Sequence, residues 1–154
     1  MPSTPTRLMS SALKSVLVPE LKAAGFAGSF PDFRRDRADV IHFVSVQYDK
    51  PGTAFFLECG AHPPGEKTTS WGDVVAQADL RLEYVPLTER ARLQGRGGEG
   101  GSSLAEGWFS YEGFGDSPEP YRLLAASVAS MLPQIEGWLA ARERGPNLST
   151  MATA

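Results

Sequence analysis

The spacing of apolar residues predicts a helix near each end of the chain. Over 7–24, apolar side chains recur every three or four residues, which is the spacing of one helix face: Leu13, Leu17, Leu21 and Ala24. Ser117 is followed by Pro118 and Glu119, a typical helix start with an N-cap residue, a first-turn proline and an acid at the positive helix end. The same spacing then continues in Leu124, Val128, Met131, Ile135 and Leu139.

Three residues mark bends or ends in these helices. Pro19 and Pro133 each lack a backbone donor and crowd the preceding turn. We therefore expect a kink at Pro19 and a kink or a division at Pro133. Gly25 follows the last periodic residue of the first helix and suits a left-handed cap.

A β-hairpin is the clearest signal between the helices. Residues 40–48 and 53–61 are dense in β-branched and aromatic residues, and the Pro-Gly of 49–52 predicts a turn between them. Successive side chains on a strand point to opposite faces. The apolar face, expected to pack against the helices, holds His42, Val44, Val46, Tyr48, Phe55, Leu57, Cys59 and Ala61. The mixed face, expected to be half exposed, holds Phe43, Ser45, Gln47, Phe56, Glu58 and Gly60.

Two further strands and two loops are predicted from the remaining pattern. Residues 80–85 and 108–111 have the composition of strands. Residues 62–79 are typical of a loop, and the glycine-rich stretch 95–103 predicts a flexible loop.

The predicted elements indicate an α+β fold. We expect a single domain over 1–144, with two layers in which an antiparallel sheet of about four strands packs against the N- and C-terminal helices. Residues 145–154 show no pattern, so we expect them to form a disordered tail.

Composition and charge narrow the classes of function. The formal net charge of the 154 residues is -3, so the chain lacks the basic excess with which nucleic-acid binders contact phosphates. Arg34, Arg35 and Arg37 do cluster, but aspartates lie between and beside them, which predicts a solvated turn of mixed charge. No apolar run approaches the ~20 residues of a membrane helix. A single cysteine favours a reducing compartment, so we expect a cytoplasmic protein without nucleic-acid or membrane partners.

Cys59 is the candidate nucleophile, with His62 or His42 as its base. Cys59 and His62 would point to opposite faces of one strand, whereas a nucleophile and its base must lie within about 3 Å. His42 shares a face with Cys59. In the tighter of two possible hairpin registers it lies directly opposite Cys59, and in the other Val44 faces Cys59 and His42 lies diagonally. Because apolar neighbours raise the pKa of a thiol, we interpret Cys59 as a core residue.

The other candidate motifs, for a metal, a dinucleotide or acid–base catalysis, are incomplete. One cysteine and two histidines without metal-ligand spacing predict no metal site, and no cofactor is expected. Gly95, Gly97 and Gly100 fit G-x-G-x-x-G, but no strand precedes them and no helix follows, as the dinucleotide fingerprint requires. Glu58 is the candidate carboxylate for acid–base chemistry, and the alternative is that it is a solvated acid on a strand. No catalytic residue is assigned.

A series of short motifs runs through the chain in a characteristic order. They are Leu21, Lys22, Gly25, Phe26, Phe33, Arg34, Gln47, Gly60, Trp108 and Phe109. Over about residues 10–140 this order resembles the uncharacterised bacterial domain of unknown function numbered 4304. The family's usual Trp pair is Trp-Phe here, and 95–103 resembles an insertion. The resemblance implies an α+β fold with an antiparallel sheet and carries over no activity.

The sequence therefore favours a non-catalytic binding module whose partner is another protein. The alternative is a small-molecule-binding domain with a pocket between sheet and loops, where Trp71 or Trp108 would stack on the ligand. An enzyme that uses Glu58 or the Cys59–His42 pair is a third hypothesis. The expected ligand- or partner-binding residues are Phe43, Gln47, Phe56, Glu58 and Trp108.

Overall fold

The structure, a computed structural model, describes residues 3–95 and 107–150. The helices in these ranges are α1 (Thr4–Ala23), α2 (Pro118–Ser130) and α3 (Leu132–Ala141). The strands are β1 (Ala27–Ser29), β2 (Asp32–Asp36), β3 (Ile41–Tyr48), β4 (Ala54–His62), β5 (Lys67–Thr68), β6 (Val74–Val75), β7 (Ala91–Leu93), β8 (Phe109–Ser110) and β9 (Leu148–Thr150). Three short 3-10 turns lie between β6 and β7, at Gln77–Asp79, Leu82–Tyr84 and Leu87–Glu89.

Seven strands of the described ranges form one antiparallel sheet at the centre of the fold. Its order is β1-β2-β3-β4-β7-β9, and β8 pairs with the start of β4. The α+β class and the antiparallel sheet are confirmed, but the expected number of about four strands is wrong. The missed strands β1, β2, β7 and β9 have three to five residues, and β2 reads Asp-Phe-Arg-Arg-Asp, so they lack the apolar alternation that marks a strand.

The predicted hairpin is confirmed as β3 and β4. Asp49 shapes its turn, because one oxygen of its carboxylate accepts hydrogen bonds from the backbone N–H groups of Thr53 (2.7 Å) and Ala54 (3.0 Å). Burial alone would raise the pKa of Asp49, but a bond from the Thr53 hydroxyl (2.6 Å) together with these backbone bonds holds it below its usual value. The register pairs Val44 with Cys59, which is the second of the two registers that the sequence allows, the one with His42 diagonal to Cys59.

The predicted helix boundaries are largely confirmed. Gly25 has a φ of +96° directly after the C-cap of α1, which suits its lack of a side chain. Pro118 is the first residue of α2, and Met131 separates α2 from α3, so Pro133 does mark a division. Pro19 lies inside α1, which continues to Ala23. No helix in the described ranges is long and apolar enough to cross a bilayer.

The inner face of the sheet, which carries Val44, Leu57 and Cys59, holds the main hydrophobic core. These side chains are fully buried in one cluster with side chains of all three helices, among them Leu13, Leu17, Val128 and Ile135. The apolar face of the predicted hairpin is therefore the face that meets the helices.

Two of the sequence predictions are corrected by the structure. Residues 80–85 are not a strand, because Leu80 and Val85 insert into a small second cluster and the backbone between them turns. Residues 145–154 were expected to form a disordered tail, but Leu148–Thr150 pairs with β7 and is buried. Residues 151–154 and most of the predicted 95–103 loop lie outside the described ranges.

Candidate functional site

The outer face of the sheet, opposite the helices, is partly covered by residues 76–90, which we name the cover segment. Leu80 and Val85 of this segment are buried with Ile41 and Phe43 of β3 in a second, smaller hydrophobic cluster. The cover segment therefore has its own anchor on the sheet, separate from the main core.

Gly60 allows the cover segment to approach β4 closely. A Cβ atom at this position would lie 3.0 Å from Leu82 Cδ1 and 3.0 Å from Val85 Cγ1. Such distances are shorter than ordinary van der Waals contacts, so any side chain at Gly60 would push the segment away. This explains why a strand that is otherwise dense in large residues contains a glycine here.

Arg34 of β2 attaches the near end of the cover segment. Its guanidinium donates to the backbone carbonyl oxygens of Gln77 (2.9 Å), Ala78 (3.2 Å) and Leu80 (3.1 Å), and it also pairs with Asp36. Arginine suits this position because its planar group presents five donors in fixed directions. Three backbone carbonyl groups of the cover segment thus accept hydrogen bonds from an arginine, where a strand would accept them from a neighbouring strand.

Arg90, the last residue of the cover segment, attaches the far end of the segment to the sheet. It donates to the carbonyl oxygens of Val85 (2.8 Å) and Glu83 (2.9 Å), and at 3.0 Å to a carboxylate oxygen of Glu58. Arg92 donates at 3.1 Å to the other oxygen of Glu58. Glu58 is only 6% exposed, so it is a buried acid held between two arginines rather than a solvated one.

Glu58 belongs to a row of polar side chains that crosses the outer face at one register position. The row consists of Asp32, Ser45, Glu58, Arg92 and Ser149, one from each of five adjacent strands. Ser45 donates to Asp32 at 2.9 Å, and Gln47 donates its amide to Ser45 at 2.9 Å. Buried polar groups need partners, and two of the buried members, Ser45 and Glu58, have theirs in Asp32 and in Arg90 and Arg92.

An open cleft of about 400 Å³ lies between the cover segment and the first three strands. We name it the outer cleft. Its lining includes Ala27, Gly28, Asp32, Arg34, Phe43, Ser45, Gln47, Arg81, Glu83 and Arg90. Asp32 and Gln47 are exposed, and among the described residues the second carboxylate oxygen of Asp32 and the amide oxygen of Gln47 accept no hydrogen bond. The cleft therefore presents polar groups that a ligand could use.

The five residues expected from the sequence fall into two neighbouring groups. Phe43 and Gln47 line the outer cleft, and Glu58 accepts a hydrogen bond from Arg90, another lining residue. Phe56 and Trp108 lie beside the cleft, where their rings are 4.6 Å apart and Arg92 stacks on Phe56 at 4.4 Å. Phe43 and Phe56 are each 4% exposed, so this part of the mixed face is buried and not half exposed as the sequence predicted.

Several residues of the site were missed by the sequence reasoning. Arg34 and Arg35 were assigned to a solvated turn, yet both lie in β2 and have specific partners. Arg90 was not singled out, because it lies 32 residues from Glu58 in a stretch without a pattern. One sequence signal was available in Asp-Phe-Arg-Arg-Asp, because a strand there would place Arg34 and Arg35 on opposite faces.

Arg35 and His42 form a buried polar cluster on the inner face. Arg35 is 5% exposed and makes two hydrogen bonds with the carboxylate of Glu136 on α3, at 2.6 and 2.9 Å. Its remaining donors reach the carbonyl oxygen of Ala24 (2.9 Å) and Nδ1 of His42 (2.8 Å). Because arginine can only donate, Nδ1 of His42 is the acceptor and the ring is neutral. Burial, followed by the charge of Arg35, lowers the pKa of His42 to about 4.

The Cys59–His42 pair is not assembled as a catalytic dyad. Cys59 is fully buried in the main core, and burial raises the pKa of its thiol to about 12. Val44 faces Cys59 across the hairpin, and His42 is bonded to Arg35 instead. The thiol therefore stays protonated and out of reach of solvent.

The sequence offered Trp71 and Trp108 as residues that would stack on a ligand, and the structure places both outside the lining of the outer cleft. Trp71 is 72% exposed at the tip of the β5–β6 hairpin, where its indole N–H donates to Asp73 at 2.7 Å. Neither Trp71 nor Trp108 is among the residues that line the outer cleft.

Comparison with known proteins supplies a family. Searches against curated proteins and against solved structures found no match. The profile of one family matches residues 17–96, which is just over half of the chain. This range contains the cap at Gly25, the attachment residue Arg34, the cleft residue Gln47 and the close approach at Gly60. The chain belongs to the family described as domain of unknown function (DUF4304).

Proposed function

We propose that the protein is a non-catalytic binding module and that the outer cleft receives a short segment of another protein. The observation that carries this proposal is the cleft itself, an open trough with unused acceptors on Asp32 and Gln47. In this arrangement the helices form one layer and the sheet the other, and the cover segment leaves part of the outer face accessible.

The open shape of the cleft favours a partner segment over an enclosed ligand. Small-molecule sites usually bury most of their ligand, whereas peptide segments are often held in surface troughs beside a sheet edge. β1 is the terminal strand of the sheet, all three of its residues are exposed, and Ala27 and Gly28 line the cleft. An extended segment could therefore lie along β1 and direct a side chain towards Phe43.

A specific observation also supports a small molecule as the second candidate. The cleft volume of about 400 Å³ falls within the range of about 300–1,000 Å³ that is common for small-ligand sites. Such a ligand would place an apolar group against Phe43 and polar groups at Asp32 and Gln47.

The single cysteine supports a reducing compartment such as the cytoplasm as the place where the module works. Cys59 is buried and unpaired, as is common in proteins that are not exposed to oxidising conditions.

The proposal can be tested by selecting peptides from a random phage-displayed library against the whole protein. Affinities of the selected peptides would be measured by fluorescence polarisation for the wild type and for Ala27→Arg. Ala27 is exposed and pairs with Arg34, so its side chain lies on the outer face and an arginine there would obstruct the cleft. We expect Ala27→Arg to weaken binding at least tenfold.

Leu123→Arg provides the matched control. Leu123 is 64% exposed on α2, so the same new side chain is placed outside the cleft. Peptides that bind both variants equally well would refute the cleft as the binding surface. A thermal-shift screen of metabolites with the same two variants tests the second candidate, because a true cleft ligand would stabilise the control variant but not Ala27→Arg.

A further inference from the structure

A second concave surface lies on the helical side of the protein, between α1 and the residue that follows β1. This groove has a volume of about 440 Å³ and is lined by Arg7, Ser10, Ser11, Lys14, Ser15 and Phe30. We name it the α1 groove. None of its lining residues belongs to the outer cleft, so it is an independent candidate site.

The α1 groove is positively charged in a protein whose net charge is negative. Two of its six lining residues are cations, and none is an acid. Within residues 3–95 and 107–150, neither Arg7 nor Lys14 forms an ion pair. By contrast, Arg34, Arg35, Arg90, Arg92 and Arg142 all have a carboxylate partner. The charge of the groove is therefore not neutralised by the protein itself.

Both cations are positioned by neighbouring groups that leave their charge in place. Arg7 donates one bond to the hydroxyl of Thr4 at 3.1 Å, which is a neutral partner. The ammonium group of Lys14 lies 5.5 Å from the centre of the Phe30 ring, in the range of a weak cation–π contact. Both side chains are exposed and can reach a ligand in the groove.

Three hydroxyl groups lie between and beside the two cations. Ser10 shares a hydrogen bond with Tyr48 at 2.7 Å, and Ser15 donates to the carbonyl oxygen of Ser11 at 3.0 Å. Seven residues separate Arg7 from Lys14, which corresponds to about two helical turns, or roughly 10 Å along the helix axis. At this spacing the two cations can each contact a different phosphate of a linked pair, which carries more charge than a single phosphate.

We propose that the α1 groove binds a phosphate-bearing ligand, with preference for a diphosphate. Arg7 and Lys14 would each contact one phosphate, and the Ser11 hydroxyl, which makes no hydrogen bond among the described residues, would donate to an oxygen between them. Charge-assisted hydrogen bonds of this kind are stronger than those between neutral groups.

The test is isothermal titration calorimetry of the full chain with pyrophosphate and with inorganic phosphate at low ionic strength. We expect saturable one-to-one binding of pyrophosphate that is at least tenfold tighter than that of phosphate. In the double variant Arg7→Gln/Lys14→Gln, pyrophosphate binding should weaken at least tenfold.

The matched control is Arg122→Gln/Lys50→Gln, which removes one exposed arginine and one exposed lysine outside the groove. Its pyrophosphate affinity should stay within about twofold of the wild type, because its net charge changes equally but the groove is intact. An equal loss of affinity in both double variants, or no saturable binding by the wild type, would overturn the proposal.

A vesicle arm identifies the source of the phosphates. Vesicles of phosphatidylcholine with 5% phosphatidylinositol 4,5-bisphosphate would be compared with phosphatidylcholine alone in a flotation assay. Flotation that needs the phosphorylated lipid and is lost in Arg7→Gln/Lys14→Gln supports the proposal with a lipid headgroup as ligand. Pyrophosphate binding without flotation supports it with a soluble ligand.

Discussion

His42 should make the free energy of unfolding fall steeply on mild acidification. In the folded protein, burial and Arg35 lower the pKa of His42 from 6.5 to about 4. Between these two pH values the unfolded chain binds a proton that the folded chain does not, so stability decreases as the pH falls. The stability that depends on a neutral His42 is fully present above about pH 6.5 and is lost as the pH falls towards and below 4.

The size of the effect follows from the two pKa values. The full difference between 6.5 and about 4 corresponds to about 3 kcal/mol. At pH 5 the loss relative to pH 8 should be about 2 kcal/mol by the same relation. Hydrogen bonds from Arg35 hold the pKa of Glu136 below the ordinary 4.5, so its contribution to stability is lost only as the pH falls below about 4.5 and changes little between pH 8 and pH 5.

Urea unfolding at pH 8 and pH 5, followed by circular dichroism, measures this difference. The variant His42→Gln can still accept a hydrogen bond from Arg35 but cannot be protonated, so its loss of stability between the two pH values should be smaller by about 2 kcal/mol. His62→Gln is the control, since it retains His42 and should keep the contribution of His42. If His42→Gln loses as much stability at pH 5 as the wild type does, the assigned acceptor role and neutral state of His42 are wrong.

Three other predictions concern the cover segment and the core. Gly60→Ala should lower the free energy of unfolding by about 1–3 kcal/mol in urea, because the added Cβ lies 3.0 Å from Leu82 and Val85; an unchanged midpoint would show that the segment yields freely. Arg34→Lys should speed hydrogen exchange in residues 77–85 at least tenfold, because one ammonium group cannot reach all three carbonyls; equal exchange would refute the attachment role. Cys59 should react with a disulfide reagent only as the protein unfolds, and rapid native reaction at pH 8 would contradict its burial.

The parts of the fold that the sequence predicts well are those that depend on neighbours in the chain. The β3–β4 hairpin and its two faces follow from alternation and a short turn, and even the register is one of two choices. The start of α2 and the division at Pro133 follow from local backbone chemistry. These features depend on residues that are close together in the chain.

The candidate site was harder to predict because its residues come together only through pairing between distant segments. Arg34 and Arg35 are adjacent and chemically identical, yet one attaches the cover segment and the other is buried against Glu136, because neighbouring residues of a strand face opposite ways. The polar row joins residues from 32 to 149 at one register position. Without the sheet order, no spacing in the sequence shows that they meet.

The pairing of β9 with β7 has a consequence for the newly made chain. β7 is translated 57 residues before β9, so its second edge has no partner until residues 148–150 have left the ribosome. During that interval the backbone groups of Ala91–Leu93 are available to the strands of other nascent chains. Substitutions that weaken β9 should therefore reduce the yield of soluble protein during synthesis more than they reduce the stability of the finished fold.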